Sequence, residues 1–212
     1  MHSSLRTFTL KSVSITLVTI AAVVLSTSPR AEAPAKADSC TDCHGAGGQS
    51  EDKEIPIIAG PSAFYLENQL FLFQQEDRPC VSEPFSAHAP KPPADNHCDL
   101  MADFSEDEIV ELAAYFANQP HQPAKQSTDP ELAKIGQAIH ERSCSRCHAN
   151  AGGLKLDDAG ILAGQWKPYL ISTMTSFRDS DRWQDEKMAE EMDRLSDQDI
   201  KALAEFYASQ GQ

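Results

Sequence analysis

The pentapeptide Cys-x-x-Cys-His occurs twice in this chain, at residues 40–44 and 144–148. In a c-type haem site the two thiols add to the haem vinyl groups, and the adjacent imidazole binds the iron. The spacing suits this chemistry because both sulfurs must reach one porphyrin edge while the imidazole lies under the metal. A zinc site or a redox dithiol can use the same cysteines, but two copies in a tandem repeat favour two covalently bound haem c groups.

Six residues are therefore predicted to hold the two cofactors. The thioether residues are Cys40, Cys43, Cys144 and Cys147, and the proximal iron ligands are His44 and His148.

The two motifs belong to an internal repeat. From His44 and His148 onward, matching residues lie 104 positions apart. Beyond Phe104, which matches Leu195, the offset is 91, so the first unit carries 13 additional residues between Phe73 and Phe104. Two constant registers of this kind indicate a duplicated haem-binding unit.

Each unit is predicted to be helical, because its apolar residues recur with the spacing of one helical face. Ser105 and Glu108 form a capping box at the start of the last helix of the first unit, and Ser196 with Asp199 is close to one in the second. Gly136 lies inside a predicted helix, where it is expected to let another helix approach closely. The sequence has no run of alternating apolar and polar residues of the kind that predicts a strand, so the predicted fold class is all-α.

The first residues have the pattern of an export signal. Arg6 and Lys11 precede an apolar run over residues 13–25, which small residues follow. This run is shorter than the roughly 20 residues of a membrane span. We expect a signal peptide over residues 1–37, cleaved after Ala35 or Ala37, and a periplasmic protein; an uncleaved anchor is the alternative and the one route to membrane association.

The rest of the chain divides into two domains joined by a linker. The first domain is predicted over residues 38–119 and contains the 13-residue insertion. A polar, proline-interrupted linker follows over residues 120–128, where His121 is expected to be solvated. The second domain covers residues 129–212.

Acidic residues greatly outnumber basic ones, 32 against 18, for a net charge of -14. Such a surface repels nucleic-acid phosphates, so nucleic acid is not an expected partner. It favours charge-steered encounter with a protein that has a basic docking face.

The chain resembles the dihaem cytochromes c of the cytochrome c4 type. The resemblance rests on the paired haem motifs and on an Ala-Gly-x-x-x-x-Tyr-Leu segment after each. It rests also on the start of the last helix of each unit, Leu-Ser-Asp-x-Asp-Ile in the second and a similar segment, Phe-Ser-Glu-x-Glu-Ile, in the first. It covers nearly all of the mature chain. It implies two tandem class I cytochrome c domains, each wrapped around one haem, that pass electrons between periplasmic redox proteins.

In that family the distal ligand of each iron is a methionine. It lies seven residues before the Leu or Phe that directly precedes the cap serine of the last helix. In the second unit this position is Met188, while Met192 is expected to fill the core. In the first unit the position is His97, which would give a bis-histidine haem of lower potential. The alternatives for the first haem are Met101 and a cysteine thiolate.

Cys80 and Cys98 are the two cysteines outside the haem motifs, and they bracket the insertion. Evenly counted cysteines of an exported protein are usually bridged, so we predict a disulfide between them. Closing a loop of this size is worth roughly 3 kcal/mol. Either sulfur is the alternative thiolate ligand of the first haem.

The predicted function is one-electron transfer, with the first haem of lower potential than the second, and not catalysis. The expected partners are redox proteins such as a terminal oxidase, a reductase or a flavoprotein dehydrogenase. The alternative is an electron-accepting haem subunit, or a dihaem enzyme, of sulfide or thiosulfate oxidation with the first haem as its site.

Overall fold

A computed structural model describes residues 33–80, 96–155 and 159–211. The predicted signal peptide, apart from its last five residues, and most of the insertion lie outside these ranges. Within them the chain is helical and contains no strand. The prediction of an all-α fold is confirmed.

The described part of the first unit has four α-helices: α1 (Asp38–His44), α2 (Ala63–Gln74), α3 (His97–Ala102) and α4 (Glu106–Ala117). A short 3₁₀ turn, Ala46–Gly48, follows α1. The predicted capping box is present, since Ser105 and Glu108 bond each other's backbone N–H groups at the start of α4. The core of this unit lies between α2, α3 and α4 and is formed mainly by Leu66, Phe73, Met101, Phe104, Ile109, Leu112 and Phe116.

The second unit has four further α-helices: α5 (Pro130–Ile139), α6 (Lys167–Arg178), α7 (Glu186–Met192) and α8 (Asp197–Ala208). A π-helical turn, His140–Cys144, leads from α5 into the second haem motif. Ser196 and Asp199 form a complete capping box on α8. The core lies between α5, α6, α7 and α8 and is formed mainly by Ile139, Leu170, Met174, Met192, Leu195, Ile200, Leu203, Phe206 and Tyr207.

Helices α5 and α8 cross at Gly136. A Cβ atom at this position would collide with the carbonyl oxygen of Ala202 and lie 2.8 Å from Cβ of Phe206. The helices approach this closely because a hydrogen atom replaces the side chain, as the sequence predicted.

One backbone hydrogen bond occurs in both units and follows both sequence offsets. The Gly60 N–H donates to the carbonyl oxygen of Phe116 at 3.0 Å, and the Gly164 N–H donates to that of Tyr207 at 2.8 Å. Gly60 and Gly164 are 104 residues apart, whereas Phe116 and Tyr207 are 91 apart. The sequence repeat is therefore a structural repeat, and it ties the segment after each haem motif to the last helix of its unit.

The two units contact each other through buried polar groups. The side-chain amide of Gln165 accepts from the Ile57 N–H and donates to the Ile57 carbonyl oxygen, both at 2.9 Å. The indole N–H of Trp166 donates to the carbonyl oxygen of Ser50 at 3.1 Å. Because Gln165 and Trp166 are buried, these bonds are shielded from water and fix how the units meet.

The segment between the units is held on both sides. The Ala124 N–H donates to the carbonyl oxygen of Gly164 at 2.7 Å. The two ring nitrogens of His121 lie 3.2 Å from the carbonyl oxygen of Ala59 and 2.9 Å from that of Ala163. The expectation of a solvated His121 is wrong, because the half-buried ring bridges equivalent carbonyls of the two units.

Candidate haem sites

A continuous cavity of about 1630 Å³ is lined by residues of both Cys-x-x-Cys-His motifs and by the predicted distal residues of both units. Pockets for a single drug-sized ligand typically have volumes of ~300–1,000 Å³. The cavity exceeds that range, as expected of one space shared by two large apolar cofactors.

The four motif cysteines, Cys40, Cys43, Cys144 and Cys147, are not joined by disulfides, so each thiol is available for a thioether bond. Burial raises the pKa of Cys40 to about 12 and also raises that of Cys144. A redox dithiol instead requires a cysteine that ionises readily. In the described ranges no three His, Cys, Asp or Glu side chains gather to hold a metal ion. The motifs therefore fit haem attachment better than either alternative.

The predicted proximal ligand of the first haem is oriented by a backbone carbonyl. His44 ends α1, and its Nδ1–H donates to the carbonyl oxygen of Pro56 at 2.8 Å. Burial lowers the pKa of His44, which keeps the ring neutral. A neutral imidazole whose Nδ1 carries the proton presents Nε2 as a lone pair for iron.

His148, the predicted proximal ligand of the second haem, lacks an equivalent bond. Its Nδ1 is buried and has no hydrogen-bond partner among the described residues. Burial, and to a lesser degree the charge of His140, lower its pKa to about 4. Since a hydrogen bond at Nδ1 raises the basicity of a metal-bound imidazole, the two predicted proximal histidines would not be equivalent iron ligands.

His97 is the first residue of α3, and its imidazole faces that of His44. The two ring centres are 6.1 Å apart. Two imidazoles on opposite sides of one iron, each binding at about 2 Å, have ring centres about 6 Å apart. The His97 ring also stacks on Phe73, with centres 4.7 Å apart. Burial, followed by the charges of His44 and Arg78, lowers the pKa of His97 to about 3, so the ring is neutral and can bind a metal.

The other candidate ligands of the first haem are Met101 and a cysteine thiolate. Met101 is 1% exposed and packs in the core of the first unit, although it also lines the cavity. Cys98 forms a disulfide with Cys80, with their Cα atoms 5.6 Å apart. A bridged sulfur offers no thiolate to iron.

In the second unit, Met188 lies in the first turns of α7, is half-buried, and lines the cavity beside the core of that unit. Met192 is buried in that core. Nδ1 of His140 lies 3.0 Å from the hydroxyl oxygen of Tyr207 and forms a hydrogen bond with it next to the second haem motif.

Two arginines in the cavity wall were not singled out from the sequence. Arg78 and Arg182 lie over the rings of Phe73 and Phe177, with the guanidinium carbon 4.3 Å from each ring centre. The two arginines are 104 residues apart, which is the offset of the repeat, so continuing the alignment past Phe73 would have found them. The insertion therefore lies between Arg78 and His97.

Comparison with known proteins also indicates a c-type cytochrome. Residues 131–206 match the family model described as cytochrome c oxidase, cbb3-type, subunit III. The chain is 31% identical to cytochrome c4 of Thiocapsa roseopersicina, over 79% of this chain and 84% of that protein. It is 28% identical to a protein of Stutzerimonas stutzeri named thiosulfate dehydrogenase electron acceptor, over 96% and 98% of the two chains. The crystal structure of reduced cytochrome c4 from Pseudomonas stutzeri has a TM-score of 0.66 and 26% identity, and the match covers 84% of this chain and all of that one.

Proposed function

This chain belongs to the cytochrome c4 family and is a dihaem c-type electron carrier, and we propose that its two haems have different distal ligands and different potentials. Its fold is two tandem class I cytochrome c domains, and its cofactors are two covalently bound haem c groups, each of which supplies an iron that takes up and releases one electron. We place the domains at residues 38–119 and 129–212.

The attachment residues follow from the two motifs. Cys40 and Cys43 form thioethers in the first domain, and Cys144 and Cys147 do so in the second. Their unpaired thiols support this assignment. His44 and His148 are the proximal ligands; the first is buried and the second half-buried, and both line the cavity with a lowered pKa that keeps the ring neutral.

His97 is the distal ligand of the first haem. The observation that carries this proposal is the 6.1 Å separation of the His44 and His97 ring centres, which matches two imidazoles on one iron. Further support comes from the disulfide of Cys98, which removes the thiolate alternative. A bis-histidine iron leaves no coordination position for substrate, which weighs against the first haem as a catalytic site.

Met188 is the distal ligand of the second haem. It is equivalent to His97 in the repeat and lines the cavity. A thioether stabilises ferrous iron relative to a second imidazole and raises the potential. Electrons would then enter at the first haem and leave from the second.

Low-temperature EPR and near-infrared magnetic circular dichroism of the oxidised protein, combined with a redox titration, test this function. We expect one bis-histidine and one histidine–methionine iron, each low-spin, and two one-electron steps, the lower from the bis-histidine haem. Two histidine–methionine irons would assign Met101 to the first haem and remove the potential step. A stable high-spin iron would indicate an open site and favour an enzyme.

A second candidate function is supported by the relative named thiosulfate dehydrogenase electron acceptor, which is similar over 96% of this chain. In that case the electron donor is a thiosulfate dehydrogenase. The candidates differ in what reduces the haems. The haems of an electron acceptor are reduced when thiosulfate and such an enzyme are both present, whereas those of a dihaem enzyme are reduced by thiosulfate alone.

The docking face for a redox partner is the surface around Trp183. This side chain is 62% exposed and lines the opening of the haem cavity. Asp181 and Asp185, which flank it in sequence, are exposed. An exposed tryptophan with two exposed aspartates near it in sequence fits a partner with an apolar pocket and a basic rim, because tryptophan anchors interfaces and charge steers encounter.

Replacing Trp183 by alanine should slow electron exchange with a basic c-type cytochrome by about tenfold, since truncating an interface anchor costs more than ~1 kcal/mol. Stopped-flow rates at several ionic strengths measure this effect. Val110→Ala, which truncates an exposed apolar side chain on α4, is the matched control and should leave the rate unchanged. Equal rates for the two variants would rule out docking at Trp183.

We further propose that the protein is periplasmic and that its signal peptide is cleaved after Ala35. Ala37 is 1% exposed in the core of the first unit, and Nζ of Lys36 lies 3.0 Å from a carboxylate oxygen of Glu108. Cleavage after Ala37 would remove both contacts. No helix in residues 33–80, 96–155 or 159–211 is long and apolar enough to cross a membrane.

A further inference from the structure

Two buried polar side chains lead from the end of helix α5 to the second haem motif. Nδ1 of His140 lies 3.0 Å from the hydroxyl oxygen of Tyr207. The same hydroxyl forms a hydrogen bond with the side chain of Cys144, a proposed thioether residue of the second haem. His140 is 4% exposed and Tyr207 is 2% exposed. Water therefore does not compete for these groups, and their hydrogen bonds are strengthened by the apolar surroundings.

The first unit has a phenylalanine where the second has this tyrosine. Phe116 and Tyr207 are equivalent by the offset of 91, and their rings occupy the same place. A Cβ atom at Gly48 would lie 2.9 Å from the ring of Phe116. One at Gly152, the equivalent glycine, would lie 3.1 Å from the ring of Tyr207. A phenyl ring therefore fits this position, and the hydroxyl is what the second unit adds.

The imidazole of His140 is also specific to the second unit. Its equivalent by the offset of 104 is Lys36, whose Nζ lies 3.0 Å from a carboxylate oxygen of Glu108 in the first turn of α4. An ammonium group paired with a carboxylate cannot replace an imidazole that bonds a phenol. The imidazole and the hydroxyl thus occur together, which indicates that they act as a pair.

The chemistry of a thioether determines which way the two hydrogen bonds run. A thioether sulfur has no proton to give and is a weak acceptor, so its hydrogen bond must be donated by the Tyr207 O–H. A phenol has one proton, so its oxygen must in turn accept from Nδ1–H of His140. Burial lowers the pKa of His140, which keeps the ring neutral with a single proton. That proton therefore lies on Nδ1.

We infer that Tyr207 donates a hydrogen bond to the thioether sulfur of Cys144 and thereby raises the potential of the second haem, and that His140 is the positioning residue that aims the hydroxyl. A donor at this sulfur withdraws electron density from the porphyrin edge, which favours ferrous iron; hydrogen bonding beside a haem is one of the ways a protein sets its potential. The inference rests on the proposed function only in that Cys144 carries the second haem.

A redox titration of Tyr207→Phe, with the two haems resolved by magnetic circular dichroism, tests the role of the hydroxyl. We expect the equilibrium constant for reduction of the second haem to fall about threefold, or about 28 mV for one electron, and that of the first haem to stay the same. Tyr115→Phe is the matched control. It removes a hydroxyl from α4, and Tyr115 is not among the described residues that line the cavity, so neither constant should change. An unchanged or larger constant for the second haem in Tyr207→Phe would overturn the inference.

The double variant His140→Phe/Tyr207→Phe separates the hydroxyl from the effect of an unpaired imidazole. Tyr207→Phe alone leaves a buried nitrogen without its partner, which is destabilising, whereas replacing both partners by apolar rings is better tolerated. The second haem of the double variant should titrate like that of Tyr207→Phe, and this variant gives the answer if the single one does not accumulate with two haems. A return to the potential of the unmodified protein would assign the shift to the unpaired imidazole and overturn the inference.

Nitrogen NMR of the reduced protein, labelled at histidine, tests the positioning role without any electron transfer. We expect the proton of His140 on Nδ1. A proton on Nε2 would mean that Tyr207 donates to His140 and not to the sulfur, which would also overturn the inference. Absence of a second haem from the unmodified protein would instead overturn the proposed function.

Discussion

Replacement of His97 by methionine will raise the reduction potential of the first haem by on the order of 0.1 V, within the ~0.8 V range that axial ligands span. The thioether stabilises ferrous iron, so this haem will approach the potential of the second one. Spectroelectrochemical titration measures the change, and the bis-histidine signal in EPR should disappear at the same time. The second haem should keep its potential, because the ligands proposed for it, His148 and Met188, lie in the other unit.

Met101→Leu is the matched control, since it alters the competing ligand and nearly preserves its volume. Met101 is buried in the core of the first unit, so leucine should leave the spectrum and potential of the first haem unchanged. The loss of a methionine-ligand signal in Met101→Leu, with an unaltered spectrum in His97→Met, would assign Met101 as the ligand. His97 would then be a buried imidazole stacked on Phe73.

If the proposed distal ligands are correct, the direction of electron flow depends on this one difference between the repeated units. His97 and Met188 are equivalent by the offset of 91, and both line the cavity. In the proposed assignment, the difference between imidazole and thioether is what separates the two haems in potential. If His97→Met equalises the potentials, electrons will distribute evenly and the carrier will lose its internal gradient.

The sequence predicted those parts of the structure that depend on local chemistry. Both capping boxes and the close helix approach at Gly136 were correct, since each is determined by residues a few positions apart or by the lack of a side chain. The two motifs do not reveal that their histidines differ: the carbonyl oxygen of Pro56 accepts from Nδ1 of His44, whereas Nδ1 of His148 has no hydrogen-bond partner among the described residues.

The contacts between the units could not be predicted from the sequence. Gln165 pairs with the backbone of Ile57, 108 residues away, and nothing in the neighbouring residues distinguishes it from a surface glutamine. His121 lies in a polar segment that reads as solvated, yet it reaches carbonyl oxygens of both units. Such long-range polar contacts depend on how two finished domains meet, which a repeat does not encode. The two cavity arginines could be predicted only in part. The offset of 104 aligns Arg78 with Arg182, but it does not reveal that both donate to the side chain of Gln69.

Replacement of Gly136 by alanine will destabilise the second domain, although alanine favours helix by about 1 kcal/mol over glycine. The added methyl group would collide with the backbone oxygen of Ala202, which no rotamer change can relieve. Overpacking of this kind costs ~1–3 kcal/mol or more, and here helix α5 must move away from α8. Denaturant unfolding followed at the second haem should show a net loss of about 2 kcal/mol.

The same displacement should reach the second haem. Helix α5 runs directly into the turn His140–Cys144, and His140 is hydrogen-bonded to Tyr207 of α8 at 3.0 Å. If α5 shifts, this bond breaks next to the haem motif, so the spectrum of the second haem should change while that of the first does not. Ala138→Gly, at an exposed position of α5, should lose about 1 kcal/mol through helix propensity alone and leave both spectra intact. If Gly136→Ala were as stable as the unmodified protein or more stable, helices α5 and α8 would not be closely packed at their crossing. The position of α5 would then not determine the environment of the second haem.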